Sequence, residues 1–428
     1  MPSPKVLLCA SLLLTACAAG AQTTAATSLD ARVRAAARAL GPQLSDLKLV
    51  PGPNGALDVT GRLQTRPFAV RFPANWNGQA VFFAHGYATP GSVEVVPSPS
   101  QDPSGGLLTT AYGQGYATAT SAYDKTGYAV RSGVVSTLAL KEWLDGVGLK
   151  RAYITGASMG GNVTVALAEL YPNEFAGALP YCGVVAGWSA EERYLIDFRA
   201  VYDFFTKELP APIALPGAGN LTAVRSDYTL DTVQRSVGAL FLGAAQNPQL
   251  KAVIGQIASV TGAQADPISF ITALGGLSYG LTDILQTQGG SAYSNETTVY
   301  KGSLNDAALN EGVERVPATP AASAYLKAWY TPTGRFSLKM LSIHNTVDPL
   351  VPYAFEPEFA RLVAAAGNSA NLVQQTVDPK PVNLTDLQNS GPTHCYFSPT
   401  ELGIAWNELR AWVEQGVKPQ GGKNITQK

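Results

Sequence analysis

The sequence predicts an α/β protein with a mostly parallel central sheet, helices on both faces and a large, mainly helical cap insertion. Short apolar runs alternate along the chain with segments whose apolar residues recur at helical spacing, an order typical of parallel sheets. The run QAVFFA at 79–84 is continuously apolar, as expected of a strand buried on both faces. The alternation stops from 186 to 335, a stretch too long for a connection between neighbouring strands, which predicts an inserted cap.

The elements before the cap follow from apolar patterns and turn residues. Residues 57–63 alternate between apolar and polar side chains, as an edge strand does. Residues 88–106 are rich in Pro, Ser and Gly, which predicts a loop. The predicted strands span 57–63, 67–72, 79–84, 116–121, 151–155 and 176–182, and the predicted helices span 29–41, 134–147 and 162–171.

The elements after the cap complete the predicted sheet. Strands at 337–343 and 371–377 alternate with helices at 355–366 and 399–415. The polar end from 418 to 428 is predicted to be a flexible tail. The core is therefore assigned to 29–185 and 336–417, and the cap to 186–335.

The N-terminal segment predicts export. Lys5 precedes an apolar run at 6–14 and then small residues, the layout of a secretory signal peptide. One interpretation removes residues 1–21. The other removes 1–16 and attaches lipid to Cys17, because Leu14-Thr15-Ala16-Cys17 is similar to a bacterial lipobox. Both predict a secreted, periplasmic or lipid-anchored protein that contacts a membrane only through that anchor.

Composition excludes several classes of protein. The 30 Lys and Arg residues balance 31 Asp and Glu residues, which argues against a nucleic-acid binder. Hydrophobic residues make up 46% of the chain and charged residues 14%, which argues against disorder. The three histidines are scattered and no Cys/His cluster is present, so we expect no metal and no cofactor.

Two cysteines, Cys182 and Cys395, remain in the folded body once the signal region is excluded. In an oxidising compartment such a pair is predicted to form a disulfide, which would stabilise the fold by about 4–5 kcal/mol. The alternative is two separate buried thiols.

The motif G-A-S-M-G at 156–160 carries the candidate nucleophile, Ser158. It follows the strand RAYIT and opens a helix, which is the context of a nucleophile elbow. The small residues at 156 and 160 allow the sharp turn that such an elbow needs.

A serine hydroxyl needs a base, and the chain offers three histidines. His394 follows every predicted strand, so its loop can return over Ser158, and it is the predicted base. His344 ends a buried strand and is predicted to be structural. His85 is predicted to shape the loop after the strand at 79–84.

The acid of the triad is predicted to be Asp348, in the loop after the strand at 337–343. Asp378, just past the next strand, is the alternative. The predicted oxyanion donors are the backbone N–H groups of Met159 and Tyr87.

These residues together resemble the α/β-hydrolase superfamily, specifically secreted bacterial serine esterases. The resemblance rests on His85-Gly86, the G-A-S-M-G motif, the Asp348-Pro349 turn and the late His394, and it covers most of 66–185 and 336–415. It implies an α/β-hydrolase fold and hydrolysis of a small-molecule or polymeric ester through an acyl-enzyme on Ser158.

A partial resemblance to the tannase and feruloyl esterase family rests on Asn75-Trp76-Asn77-Gly78 and on Cys395 directly after the histidine. That family links a cysteine before its nucleophile to the cysteine after its histidine. Here Ala157 precedes Ser158, and Cys182 offers the replacement partner.

Other functions stay open at this point. A peptidase of the same fold would need acids in the cap, and Glu191, Glu192 and Asp197 either serve that purpose or form a solvated helix face. A lipase or polyester depolymerase would need exposed apolar surface, for which Phe204-Phe205 and 268–285 are candidates unless they form packed cap helices. A non-catalytic binding protein is the third class.

Overall fold

The computed structural model describes residues 28–92, 96–223, 225–383, 385–386 and 389–427. The predicted signal segment, with Cys17 and both cleavage positions, lies outside the described residues. The strands are β1 (Leu44–Pro51), β2 (Leu57–Leu63), β3 (Arg66–Phe72), β4 (Gln79–Ala84), β5 (Ala117–Ser121), β6 (Arg151–Ala157), β7 (Gly177–Tyr181), β8 (Lys339–Asn345) and β9 (Leu372–Val377).

These strands form one nine-stranded sheet in the order β1-β2-β3-β5-β4-β6-β7-β8-β9. All neighbouring pairs from β5 to β9 are parallel, whereas β1, β2 and β3 form an antiparallel edge. The mostly parallel α/β sheet predicted from the sequence is confirmed. Strand β1 was not predicted because its register shifts between Ser45 and Lys48, and this irregularity breaks the alternation of apolar side chains.

Helices cover both faces of the sheet, as predicted. The core helices are α1 (Leu29–Leu40), α2 (Leu107–Gly113), α3 (Val130–Val147), α4 (Met159–Leu170), α11 (Phe355–Ala365) and α12 (Pro399–Gln415). Alternate residues of β4 point to opposite faces: Phe82 joins the apolar cluster with α1, α3, α4 and α11, and Phe83 joins the cluster with α2 and α12. The continuously apolar run at 79–84 is thus explained by burial on both faces.

The insertion is helical, as predicted. Its helices are α5 (Trp188–Thr206), α6 (Leu230–Ala244), α7 (Pro248–Thr261), α8 (Pro267–Gln288), α9 (Asp306–Gly312) and α10 (Pro320–Tyr330). Most of them bury a separate apolar cluster that includes Phe198 and Phe270. The last helix differs, since Leu326 and Tyr330 of α10 pack into the cluster of the core.

Within the described ranges, no single helix is long and apolar enough to cross a bilayer. The two segments of α8, Pro267–Ser278 and Thr282–Gln288, meet the length and composition of a span only when they are combined across a bend of 42°.

The C-terminal end differs from its prediction as a flexible tail. Residues 422–425 run beside β9, where the Thr376 N–H donates to the Lys423 carbonyl (3.0 Å) and the Ile425 N–H donates to the Thr376 carbonyl (2.9 Å). The side chain of Ile425 is 2% exposed and packs with α12 and β9. One apolar residue in a polar segment was too weak a signal to predict this packing.

Candidate active site

Ser158 sits on a sharp turn between β6 and α4. Its backbone has φ 57° and ψ −124°, a conformation that L-residues rarely adopt. A Cβ on Gly160 would lie 2.0 Å from the Ala84 carbonyl oxygen, and one on Gly156 would lie 2.3 Å from the Gly160 carbonyl oxygen. The turn therefore closes only with glycine at both positions, in the geometry expected of a nucleophile elbow.

Asp348 lies in the turn after β8 and contacts His394. Its Oδ2 accepts a hydrogen bond from His394 Nδ1 at 2.7 Å, and its Oδ1 accepts from the Leu350 and Val351 N–H groups, each at 3.0 Å. Burial would raise the pKa of Asp348, but the charge and hydrogen bond of His394 lower it below the ordinary value. Because a carboxylate only accepts, Nδ1 carries the hydrogen of this bond, and Nε2 is the ring nitrogen not used by it.

The alternative acid, Asp378, lies elsewhere. Its carboxylate accepts a hydrogen bond from Asn424 Nδ2 at 2.7 Å, in the C-terminal segment beside β9. The structure therefore brings Asp348, and not Asp378, to His394.

His394 and Ser158 line the same pocket. No hydrogen bond joins their side chains in the part of the chain that the structure describes, and His394 Nε2 is 3.3 Å from Cys395 Sγ. Hydrogen bonds between catalytic groups are often long or poorly aligned in structures without substrate, and they shorten when substrate binds.

The other two histidines are placed in structural positions. His344 is fully buried, with Nε2 2.9 Å from the Val351 carbonyl oxygen and Nδ1 3.3 Å from Glu356 Oε1. Burial lowers the pKa of His344, but the nearby carboxylates outweigh it and the pKa is raised. The His85 ring stacks on Tyr123 with centroids 3.6 Å apart, and its Nδ1 donates to the Gly86 carbonyl at 2.8 Å. Burial lowers the pKa of His85 and outweighs the hydrogen bond to Gly86, which raises it.

The residues predicted to supply the oxyanion donors both lie close to Ser158. Met159 is the first residue of α4, so its N–H has no acceptor within the helix. A Cβ on Gly86 would lie 3.3 Å from Ser158 Cβ, which places the loop that carries Tyr87 directly beside the nucleophile. The roles of Met159 and Tyr87 stay predictions.

The predicted disulfide between Cys182 and Cys395 is present, with Cα atoms 5.2 Å apart and a sequence separation of 213. It ties the residue after β7 to the residue after His394. Both sulfur atoms and His394 Nε2 lie within 4.8 Å of one another, but bonded sulfurs are not thiolates and hold no metal.

We expect reduction of this disulfide to lower the free energy of unfolding by about 5 kcal/mol, because it closes a loop of more than two hundred residues. The melting temperature with and without dithiothreitol measures this effect. The Cys182→Ser/Cys395→Ser double variant is the control and should not respond to dithiothreitol. An unchanged melting temperature in the reduced wild type would contradict the prediction.

The pocket above Ser158 has a volume of about 170 Å³. Its walls are mostly apolar and come from both the core and the cap, and they include Trp188, Leu195 and Ile284. Glu191, on the first cap helix, also lines it. A larger groove of about 730 Å³ lies between the cap and residues 346–355, but it contains neither Ser158 nor His394.

The cap acids do not form a solvated helix face. Glu191 and Glu192 are each 3% exposed. Glu192 accepts hydrogen bonds from Gln288 Nε2 (2.6 Å) and the Ala292 N–H (3.0 Å). The Asp197 carboxylate accepts from the hydroxyls of two cap tyrosines, Tyr293 and Tyr300.

The apolar candidates for a lipid or polymer surface lie within the cap. Phe204 and Phe205 are half-buried against its apolar cluster, and Phe270 at the start of α8 is fully buried. These segments are therefore packed helices of the cap, as in the second interpretation from the sequence, and not an exposed apolar surface.

Solved structures share this fold at low sequence identity. A tannin acyl hydrolase from Aspergillus niger superposes with a TM-score of 0.50 at 13% identity, covering 92% of this chain and 89% of that chain. Feruloyl esterase B from Aspergillus oryzae gives 0.45 at 14%, covering 88% of each chain, and lipase A from Candida antarctica gives 0.41 at 14%, covering 88% and 83%. No protein-family model and no curated protein matches the chain. The predicted α/β-hydrolase fold is thus confirmed.

Proposed function

We propose that the chain is an exported serine hydrolase that cleaves carboxylic esters through an acyl-enzyme on Ser158. The observation that carries the proposal is a single pocket that contains both Ser158 and His394, with His394 Nδ1 2.7 Å from Asp348. The three residues follow one another along the chain in the order typical of α/β-hydrolases. The similarity in fold to a tannin acyl hydrolase supports ester cleavage.

In the proposed reaction, His394 Nε2 removes the Ser158 proton while Oγ attacks the ester carbonyl. The backbone N–H groups of Met159 and Tyr87 donate hydrogen bonds to the oxyanion, and Asp348 stabilises the imidazolium. His394 then protonates the leaving alcohol. Water attacks the acyl-enzyme by the same route and releases the acid. These steps need no metal or cofactor.

Export is part of the proposal. The disulfide between Cys182 and Cys395 forms in an oxidising compartment, which agrees with the signal segment predicted from the sequence. Whether the first residue of the exported chain follows position 21 or is Cys17 does not affect the site, because both lie before the first helix of the core. The expected partner is a small-molecule or polymeric ester and not a nucleic acid.

A covalent probe tests the proposed nucleophile. We expect a fluorophosphonate to label the protein at one residue, mapped by mass spectrometry to Ser158, and to abolish hydrolysis of p-nitrophenyl esters in proportion to labelling. Heat-denatured protein is the control and should not be labelled. Hydrolysis that survives complete labelling, or labelling at another residue, would overturn the proposal. An ester series from acetate to palmitate measures the acyl length that the pocket accepts.

A further inference from the structure

Glu191 is the unexplained group of the active-site pocket. It lies in the first turn of α5, it is 3% exposed, and it lines the same pocket as Ser158 and His394. Its Oε2 is buried without a hydrogen-bond partner, and no hydrogen bond to either oxygen is found among the described residues. A buried polar atom without a partner costs about 1–3 kcal/mol. Because Glu191 also lines the pocket with Ser158 and His394, its carboxyl group is placed to bind a group of the substrate.

The surroundings of Glu191 favour its neutral form. Burial raises its pKa well above the ordinary value, and the neighbouring carboxylates of Asp348 and Glu192 raise it further. No salt bridge to Glu191 is present within the described ranges. A neutral carboxyl group offers one O–H donor together with an acceptor.

The partner that matches this group is an alcohol. A hydroxyl also combines one donor with acceptor lone pairs, so it satisfies both halves of a neutral carboxyl group. An ammonium group offers donors only, and it would bring a buried charge next to a neutral carboxyl group in walls that are mostly apolar. The neighbouring acid, Glu192, already accepts hydrogen bonds from Gln288 and the Ala292 N–H. It is therefore not available to bind an ammonium group in the pocket.

We propose that Glu191 is a specificity-determining residue that hydrogen-bonds a hydroxyl group of the substrate inside the active-site pocket, so that the enzyme selects esters of hydroxylated acids or alcohols. This inference rests on the proposed ester hydrolysis and names its substrate class. In an apolar pocket, a small number of polar groups fixes the orientation of the ligand. An analogue without the matching hydroxyl leaves the carboxyl group of Glu191 unpaired and is cleaved more slowly.

Matched ester pairs test the inference and locate the hydroxyl. Ethyl 3-hydroxybutyrate against ethyl 3-methylbutyrate varies the acid, and 2-hydroxyethyl butyrate against propyl butyrate varies the alcohol. The readout is the ratio of kcat/KM within each pair, measured by pH-stat at pH 7. Comparison of this ratio between enzyme variants cancels the intrinsic reactivity of each ester.

We expect Glu191→Leu to lower the hydroxyl-to-methyl ratio by about 10-fold in at least one pair. Glu191→Gln keeps a donor and an acceptor and should hold the ratio within about threefold of the wild type. The matched control is Glu192→Gln, next in the chain but bonded within the cap, which should leave both ratios unchanged. If Glu191→Leu does not fold, Glu191→Met takes its place.

Equal ratios in wild type and Glu191→Leu would overturn the inference while the ester hydrolase stands. Preference for ethyl 3-aminobutyrate that is lost in Glu191→Gln would overturn it in favour of an amine site. If the wild type cleaves none of these esters and no p-nitrophenyl ester, the proposed function itself fails, and the two failures are distinguishable.

Discussion

Replacement of Ser158 by alanine is expected to lower kcat for p-nitrophenyl acetate by about 10⁶-fold, the loss typical of a serine hydrolase without its nucleophile. The strained turn at φ 57° presents this hydroxyl to the pocket that His394 also lines, and Asp348 holds His394 by a hydrogen bond to Nδ1. The oxyanion donors and substrate binding are retained in the variant. The residual rate therefore measures what they contribute without an acyl-enzyme.

Ser92→Ala is a suitable control, because Ser92 is an exposed serine of the loop that follows β4. It should keep the wild-type rate. Equal melting temperatures for the two variants would show that Ser158→Ala is folded. A Ser158→Ala enzyme within 100-fold of the wild type would place the chemistry on another residue.

Asp348→Asn is expected to lower kcat by about 10⁴-fold. The carboxylate holds His394 through a 2.7 Å hydrogen bond to Nδ1, and its charge stabilises the imidazolium. An amide of the same size removes that charge and allows the wrong tautomer of the ring. The measurement is kcat against pH for the variant and the wild type, and Asp378→Asn is the matched control because Asp378 contacts Asn424 instead. A loss as large in Asp378→Asn would contradict the assignment.

The wild type and Asp348→Asn are also expected to differ in how their stability depends on pH. The pKa of Asp348 is lower in the folded chain than in the unfolded one, so its ionised form stabilises the fold above the unfolded pKa of about 3.9. This contribution is lost as the pH falls through the lowered value. The melting temperatures of wild type and Asp348→Asn should therefore converge below about pH 4.

The contact of His394 with Asp348 and the pocket that His394 shares with Ser158 were predictable, because each residue is marked by local sequence or by order along the chain. Ser158 lies in a motif between an apolar strand and a helix, His394 is one of three histidines, and Asp348 follows the strand between them. The cysteine count predicted the disulfide, since only two cysteines remain after the signal region.

What escaped prediction depends on packing between segments far apart in the chain. Strand β1 is irregular, and its pairing with β2 compensates for the broken pattern. The position of Ile425 beside β9 follows from a contact with residues about fifty positions earlier. The burial of Glu191 depends on how α5 packs against α8 and the Asp348 turn. The sequence could not predict it, because acids in the first turn of a helix are usually solvated.

The cap buries an apolar cluster of its own, beside the two clusters that cover the faces of the sheet. Ser158, Asp348 and His394 come from turns and loops of the core, whereas Leu195 on α5 and Gly276 on α8 bring the cap to the pocket wall. Because the cap buries most of its apolar side chains in its own cluster, many of its residues are free to change without weakening the sheet. Exchange of cap residues would therefore reshape the pocket wall while Ser158, Asp348 and His394 keep their places in the core.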